Sequence, residues 1–212
     1  MKQTYAFFDF DGTLTVSDTL TGFTKFLMGR KFWLVMAFFL PILIAYRIGL
    51  IKQDRAKSLY LRFFLKWYSE EDLILQGAKY AKEEIKKIIN PSIFKRLKWH
   101  QQQNHSVYII TASLKYWIEP WCKQNDLRIQ CTNIEIVNGK VTGNIIGQNC
   151  FGEEKSNRIK QILNTHQPAS IYAYGDSIGD YAMLSLANHS FDCSNNHASP
   201  YQLANKEPWY VG

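Results

Sequence analysis

Three short runs of apolar residues, each ending on small or polar residues, organise this chain. They are Tyr5–Phe8 leading into Asp9, Val107–Ile110 leading into Thr111, and Ile171–Tyr174 leading into Gly175-Asp176. Unbroken apolar runs of this length predict strands covered on both faces. Helical patterns lie between them: Trp117 to Asn125 follows the second run, and Lys155 to Asn164 precedes the third. Strands alternating with helices predict an α/β fold with a Rossmann-like parallel sheet core. Ligands of such sheets bind beyond the carboxyl ends of the strands, where all three polar terminations fall.

The stretch from about Val16 to Ile89 breaks that alternation and is helix-like throughout. It predicts an inserted helical cap, residues 16–90, over a core made of residues 1–15 and 91–212. Asn90-Pro91 marks the return to the core, because the residue before a proline is biased away from helix. Asn133 to Gly147 alternates, with Asn138-Gly139 as a type I′ hairpin signal. Inside the cap, Phe32 to Tyr46 carries no charge, is interrupted by Pro41 and is flanked by Lys25, Arg30, Lys31, Arg47 and Lys52. Fifteen helical residues span roughly 22 Å, short of the roughly 30 Å hydrocarbon core of a bilayer. Two readings stand: a pair of buried cap helices with the proline at the joint, or an interfacial patch resting on an anionic membrane.

Composition narrows the class. A chain of 212 residues, 46% hydrophobic and 20% charged, is an ordinary globular protein able to bury a substantial core. Its formal net charge of +7 favours anionic partners: phosphate esters, nucleic acid or an acidic membrane face. A non-catalytic basic nucleic-acid-binding protein is therefore a rival reading. The basic residues form no run, however, and Lys82-Glu-Glu-Ile-Lys-Lys87 reads as a solvated helix face of mixed pairs, so no nucleic acid is expected. Cys122, Cys131, Cys150 and Cys193 form no C-x-x-C pair and read as reduced thiols of a cytoplasmic protein. A strand beginning within five residues of Met1 leaves no secretory pattern there.

The candidate chemistry sits at the strand ends. Asp9 and Asp11 are two residues apart and so start on one side of an extended chain, with Gly12 free to turn the loop after them. Two anions this close repel, and a bound cation is the usual remedy, which predicts a magnesium site with one carboxylate left for chemistry. Gly175-Asp-Ser-Ile-Gly-Asp180 places Asp176 and Asp180 just past the third strand. One carboxylate from Asp9, the backbone carbonyl of Asp11 and one or both of Asp176 and Asp180 would supply the oxygen ligands that magnesium takes. Thr111-Ala112-Ser113 offers a hydroxyl and backbone N–H groups as an anion seat at a helix start. Lys155 could neutralise a phosphate there, or be a solvated surface lysine among Glu153, Glu154 and Arg158.

The order Asp9-x-Asp-Gly-Thr, Thr111, Lys155, Gly175-Asp-x-x-x-Asp180 resembles the four motifs of the haloacid dehalogenase superfamily. The helical insertion directly after the first motif is similar to that of its phosphoserine phosphatase-like branch, subfamily IB. The resemblance implies a magnesium-dependent phosphomonoester hydrolase acting through an aspartyl-phosphate. Asp9 would attack phosphorus, and Asp11 would protonate the leaving oxygen and then activate water. Thr111, Ala112 and Lys155 would hold the phosphoryl oxygens, and Asp9, Asp11, Asp176 and Asp180 the magnesium. The implied substrate is a small phosphorylated metabolite such as phosphoserine. Asp18 falls near that branch's acidic substrate-gripping position and Arg62 near its arginine; Asp18 reads equally as an N-cap for the helix beginning at Thr19, and Arg62 as a solvated cap residue. Gly179 departs from the Asn common before the last motif aspartate. The apolar cap segment is similar to that of membrane-associated members, including phosphatidylglycerophosphate phosphatases. That gives the alternative of a lipid headgroup phosphate, with the chain cytoplasmic or peripheral to the inner face of a membrane.

Overall fold

The computed structural model describes residues 2–66, 68–164 and 167–200; residues 201–212, assigned to the core by sequence, lie outside them. The strands are β1 (Thr4–Phe8), β2 (Ser106–Leu114), β3 (Arg128–Val137), β4 (Lys140–Ile146), β5 (Ser170–Gly175), β6 (His189–Asp192) and β7 (Ser199–Pro200). They form one sheet in the order β4-β3-β2-β1-β5-β6-β7. The five central strands run parallel, and β4 and β7 are antiparallel edges. The three strands legible in the sequence are thus the three at the centre.

Both faces of β1 are covered, which is why its run is apolar without alternation. Ala6 and Phe8 join one buried cluster, Tyr5 and Phe7 the other. The first face is covered by α6 (Pro91–Gln102), through Ile93 and Leu97, and by α7 (Lys115–Gln124), through Trp117, Ile118 and Trp121. The second is covered by α8 (Glu153–Leu163), through Ile159, and by α9 (Tyr181–Leu184), through Met183 and Leu184. Phe8 stacks on Tyr174 at 4.2 Å between ring centres, and Tyr174 on Phe191 at 4.7 Å, so aromatic rows tie β1, β5 and β6 together. Each buried phenylalanine contributes on the order of 2 kcal/mol.

Between β1 and β2 lie α1 (Thr19–Met28), α2 (Lys31–Arg47), α3 (Gln53–Phe64), α4 (Glu70–Tyr80), a π-helical turn (Ala81–Ile85) and α5 (Lys86–Ile88). The chain enters and leaves this insertion on two segments bonded to each other. Val16 N–H donates to the Ile88 carbonyl and Asn90 N–H to the Leu14 carbonyl, both at 2.8 Å. Asn90 then caps α6, accepting from Ser92 and Ile93 N–H, with Pro91 as its first residue. The insertion is also tied to the hairpin of β3 and β4, through Glu70 N–H to Gly139 and Val141 N–H to Tyr68. That hairpin turns at Asn138 (φ 51°) and Gly139 (φ 73°), the two positive dihedrals of a type I′ turn.

Helix α2 corrects one of the two readings of the apolar segment. It is one continuous helix through Pro41, not two joined there, and most of its apolar residues are exposed, with Phe32 and Phe39 buried. Pro41 cannot donate to the Ala37 carbonyl. Both residues lie on the exposed side, where solvent can take that carbonyl, so the helix survives the interruption.

Gly77 sets how closely α4 approaches α7. A Cβ there would overlap the Tyr116 carbonyl oxygen, a backbone atom that cannot swing aside. Gly77→Ala would gain about 1 kcal/mol of helix propensity and lose about 1–3 kcal/mol to overpacking. The overlap is with rigid backbone, so the loss should win: chemical denaturation should show lower stability, and a gain would mean that the two helices are free to part.

Candidate active site

Asp9 continues β1 by one residue, its N–H bonded to the Tyr174 carbonyl at 2.9 Å. The loop then turns at Gly12, whose φ is 86° and where any Cβ would overlap the Asp176 carboxylate. Glycine is therefore required twice over, by conformation and by space. Thr13 Oγ1 donates to Asp176 Oδ1 at 2.8 Å, joining the loop after β1 to the loop after β5. One carboxylate oxygen from each of Asp9, Asp176 and Asp180 lies within 4.8 Å of the others.

Lys155, in the first turn of α8, is buried against this group. Its ammonium donates to Asp9 Oδ1 and, at 2.6 Å, to Asp180 Oδ1. Asp180 Oδ2 accepts from the Asp176 N–H, the Ser177 N–H and the Ser177 hydroxyl, all at 3.0–3.1 Å, so this carboxylate also shapes its own loop. Burial, then the Asp180 charge, holds the Asp9 carboxyl well above the usual range, against the pull of Lys155. Burial likewise raises Asp176. The ammonium is pushed up, because its two carboxylates outweigh the opposing effect of burial.

Asp11 faces a different set of partners. Oδ1 accepts from the Thr19 N–H and Oδ2 from the Ser113 hydroxyl, each at 2.6 Å. Thr19 opens α1, so the carboxylate sits at a helix N-terminus. Trp117 Nε1 donates to Thr19 Oγ1 at 2.9 Å, and Thr19 Oγ1 lies 3.2 Å from Ser113 Oγ. An indole N–H can only donate, so the threonine proton is free for Ser113, and the serine proton for Asp11. Burial, then the Asp18 charge, raises the Asp11 carboxyl to about 6. Asp11 is not among the carboxylates that gather with Asp9, Asp176 and Asp180.

Strand β2 supplies the remaining wall. It does not give way to a helix after Thr111, as the anion-seat reading expected, but runs on to Leu114 with a register shift against β3 between those residues. Such irregularities re-aim side chains. Thr111 lies buried beneath the wall, its Oγ1 accepting from Ser113 N–H at 3.0 Å, while Ala112, Ser113 and Leu114 face the cavity.

Asp9, Asp11, Lys155, Asp180 and the Ala112–Leu114 wall form the floor of a cavity of about 590 Å³. Leu20, Met36, Phe39, Ile42 and Tyr60 of the insertion line its other side. Asp18 is on that wall, and it also caps α1 by accepting from Thr21 N–H at 2.7 Å. Arg62 is not brought to the cavity. It bonds Asn144 Oδ1 at 2.6 Å on β4 and lies in a separate cleft. The cation from α3 that does reach the cavity is Lys57, which the sequence reading missed. Its ammonium donates to the Ala112 carbonyl and, at 2.6 Å, to Asn149 Oδ1, and burial pulls it down to about 8. A signal was present: Lys57 is four residues before buried Leu61 and seven before buried Phe64, a core-facing position for a cation.

The Asp18 charge reaches Asp11 in a testable way. Asp18→Asn keeps a capping side chain and removes an anion that raises Asp11. In a carboxyl-carbon NMR titration of the metal-free protein, the Asp11 transition should move to lower pH. An unmoved transition would mean that burial alone sets it.

Three comparisons bear on this geometry. Residues 6–185 match the family described as haloacid dehalogenase-like hydrolase. Protein CicA of Caulobacter vibrioides is 27% identical over 187 residues, covering 85% of this chain and 82% of that one. Among solved structures, a protein of unknown function from Bordetella pertussis Tohama I superposes with a TM-score of 0.80 at 20% identity, over 91% of this chain and 90% of that one. A phospho-aspartyl intermediate analogue of phosphoserine phosphatase superposes with a TM-score of 0.68 at 16% identity, over 92% and 88%. At these identities the two structures speak for the fold.

Proposed function

The chain belongs to the haloacid dehalogenase-like hydrolase family, and we propose that within it this chain is a magnesium-dependent phosphomonoester hydrolase that forms an aspartyl-phosphate on Asp9. The observation that carries the proposal is the gathering of Asp9, Asp176 and Asp180 around one point beside the Lys155 ammonium. A phosphate dianion needs compensating positive charge to approach a carboxylate nucleophile. The residues fit magnesium: the donors are all oxygens, and burial and mutual repulsion hold Asp9 and Asp176 above their ordinary range, a strain that a dication relieves. Asp9, Asp176 and the Asp11 carbonyl would hold the ion, with Asp180 beside them. When bound, it would neutralise charge on both nucleophile and phosphate.

In the proposed reaction an Asp9 oxygen bonds to phosphorus as the ester oxygen leaves. Asp11, with its carboxyl raised to about 6, is near the balance point between acid and base at neutral pH. It would give its proton to the leaving oxygen, then take one from the water that attacks phosphorus. That second step frees Asp9 and inorganic phosphate. Lys155 and the backbone N–H of Ala112 would hold the phosphoryl oxygens. Residues 16–90 act as a cap over the core, closing water out of the cavity. The phospho-aspartyl analogue captured in a protein of the same fold supports the covalent step.

For substrate, we propose a small phosphorylated metabolite, phosphoserine being the simplest example, with Asp18 and Lys57 near its non-phosphate end. One observation favours a lipid headgroup phosphate as the second reading. The wall facing the carboxylates is apolar over Leu20, Met36, Phe39 and Ile42, and Arg62 is absent from it. Rates on phosphoserine and on a short-chain lysophosphatidate, measured with and without magnesium, separate the two.

Asp9→Asn keeps the side chain's size and removes its nucleophile, so turnover of p-nitrophenyl phosphate should fall by about a thousandfold or more with the fold intact. Activity at the parent rate would remove Asp9 from the mechanism. Asp176→Ala should raise the magnesium concentration needed for half-maximal activity by about tenfold or more; an unchanged titration would remove Asp176 from the metal.

A further inference from the structure

Helix α2 is apolar on the outside as well as the inside. Its inner residues Phe32 and Phe39 are buried, and Met36, Phe39 and Ile42 line the cavity. Its outer stripe, Leu34, Phe38, Pro41 and Ile44, recurs every three or four residues and therefore lies on one helix face. The stripe continues beyond the helix through Ile48 and Leu50. Exposure reaches 68% at Leu34, 77% at Phe38 and 76% at Leu50, so nothing among the described residues shields them. A helix apolar all round belongs in a core or in lipid, and a contiguous exposed patch of this kind marks a binding surface.

Charge indicates what covers it. Residues 19–53 contain Lys25, Arg30, Lys31, Arg47 and Lys52 and no acidic residue. All five cations are exposed, and they stand at both ends of the apolar stripe. The Lys25 ammonium lies 5.2 Å from the Trp33 ring centre, an indole and a cation side by side at the polar edge. The 17-residue helix is about 26 Å long. No helix among the described residues is long and apolar enough to cross a membrane, so α2 would lie in the plane of a bilayer rather than through it.

We propose that α2 and the turn after it dock on an anionic phospholipid bilayer. Leu34, Phe38, Ile44 and Leu50 enter the boundary of the acyl region, and the flanking cations meet headgroup phosphates. Leu43 and Tyr46 line the cavity and also reach solvent, at 37% and 39% exposure, so the cavity rim adjoins the docking face. The proposal stands apart from the catalytic one, because docking is measured without turnover.

The test is cosedimentation with vesicles of phosphatidylcholine alone and of equimolar phosphatidylcholine and phosphatidylglycerol. The parent chain should partition onto the mixed vesicles about tenfold or more above the neutral ones, less so at high salt. L34E/F38E should lose about tenfold or more of that binding, with its thermal unfolding and p-nitrophenyl phosphate turnover unchanged. R30E/K31E should lose binding to the mixed vesicles selectively. Equal binding to both vesicle types, no binding to the mixed ones, or parent-like binding by L34E/F38E would overturn the proposal. So would a parent dimer that L34E/F38E dissociates with no vesicle binding by either, which would give the surface to a second copy of the chain.

Discussion

The site depends on one buried ammonium. Asp9, Asp176 and Asp180 meet where β1 and β5 end, and two unit charges about 4 Å apart repel by about 4 kcal/mol even at the effective dielectric of a protein surface. Lys155 answers part of that repulsion by bonding Asp9 and Asp180 at once. Removing one partner from a buried ion cluster strands the others, which is why such groups constrain everything around them. The parallel sheet brings the strand ends together, Gly12 lets one loop pass against Asp176, and the first turn of α8 delivers the cation. The remaining negative charge invites a cation from outside the chain.

The cavity joins two chemistries. Its floor is carboxylates and an ammonium supplied by the sheet side; its opposite wall is aliphatic and aromatic, supplied by the insertion. Lys57 and Asn149 stitch the two sides, since Lys57 bonds both the Ala112 carbonyl and Asn149, and Asn149 in turn donates to Gln53 and Asp54. An arrangement of this kind suits a ligand with one strongly anionic end and a less polar remainder.

The sequence showed most of what is local and less of what is assembled. The central strands and the acidic residues at their ends were readable because each run and its polar termination are continuous in the chain. The relay from Trp117 through Thr19 and Ser113 to Asp11 was not, because it spans about a hundred residues and uses side chains ordinary in caps and cores. Arg62 fits either a substrate-gripping or a solvated position by sequence, and it stands five residues after Lys57, which turns it by about 140° around the helix. The same rotation takes it to Asn144 instead. One of the two readings of the apolar segment makes Pro41 a joint; the carbonyl it leaves unpaired lies on the exposed side, so α2 continues. Strands β6 and β7 are too short for their pattern to rise above loop.

The hydrogen bonds to Asp11 come from opposite banks: Thr19 belongs to the insertion, Ser113 to the sheet. Both banks hang from the same pair of crossing segments, where Val16 bonds Ile88 and Asn90 bonds Leu14. A two-handed grip of this sort survives only while the banks stay together. If they part by even an ångström or two, water enters, and because burial is the largest reason the Asp11 carboxyl stands at about 6, its affinity for protons falls even as a hydrogen bond is lost. In the proposed reaction, Asp11 would therefore hold its proton best with the banks together and the outside water shut away.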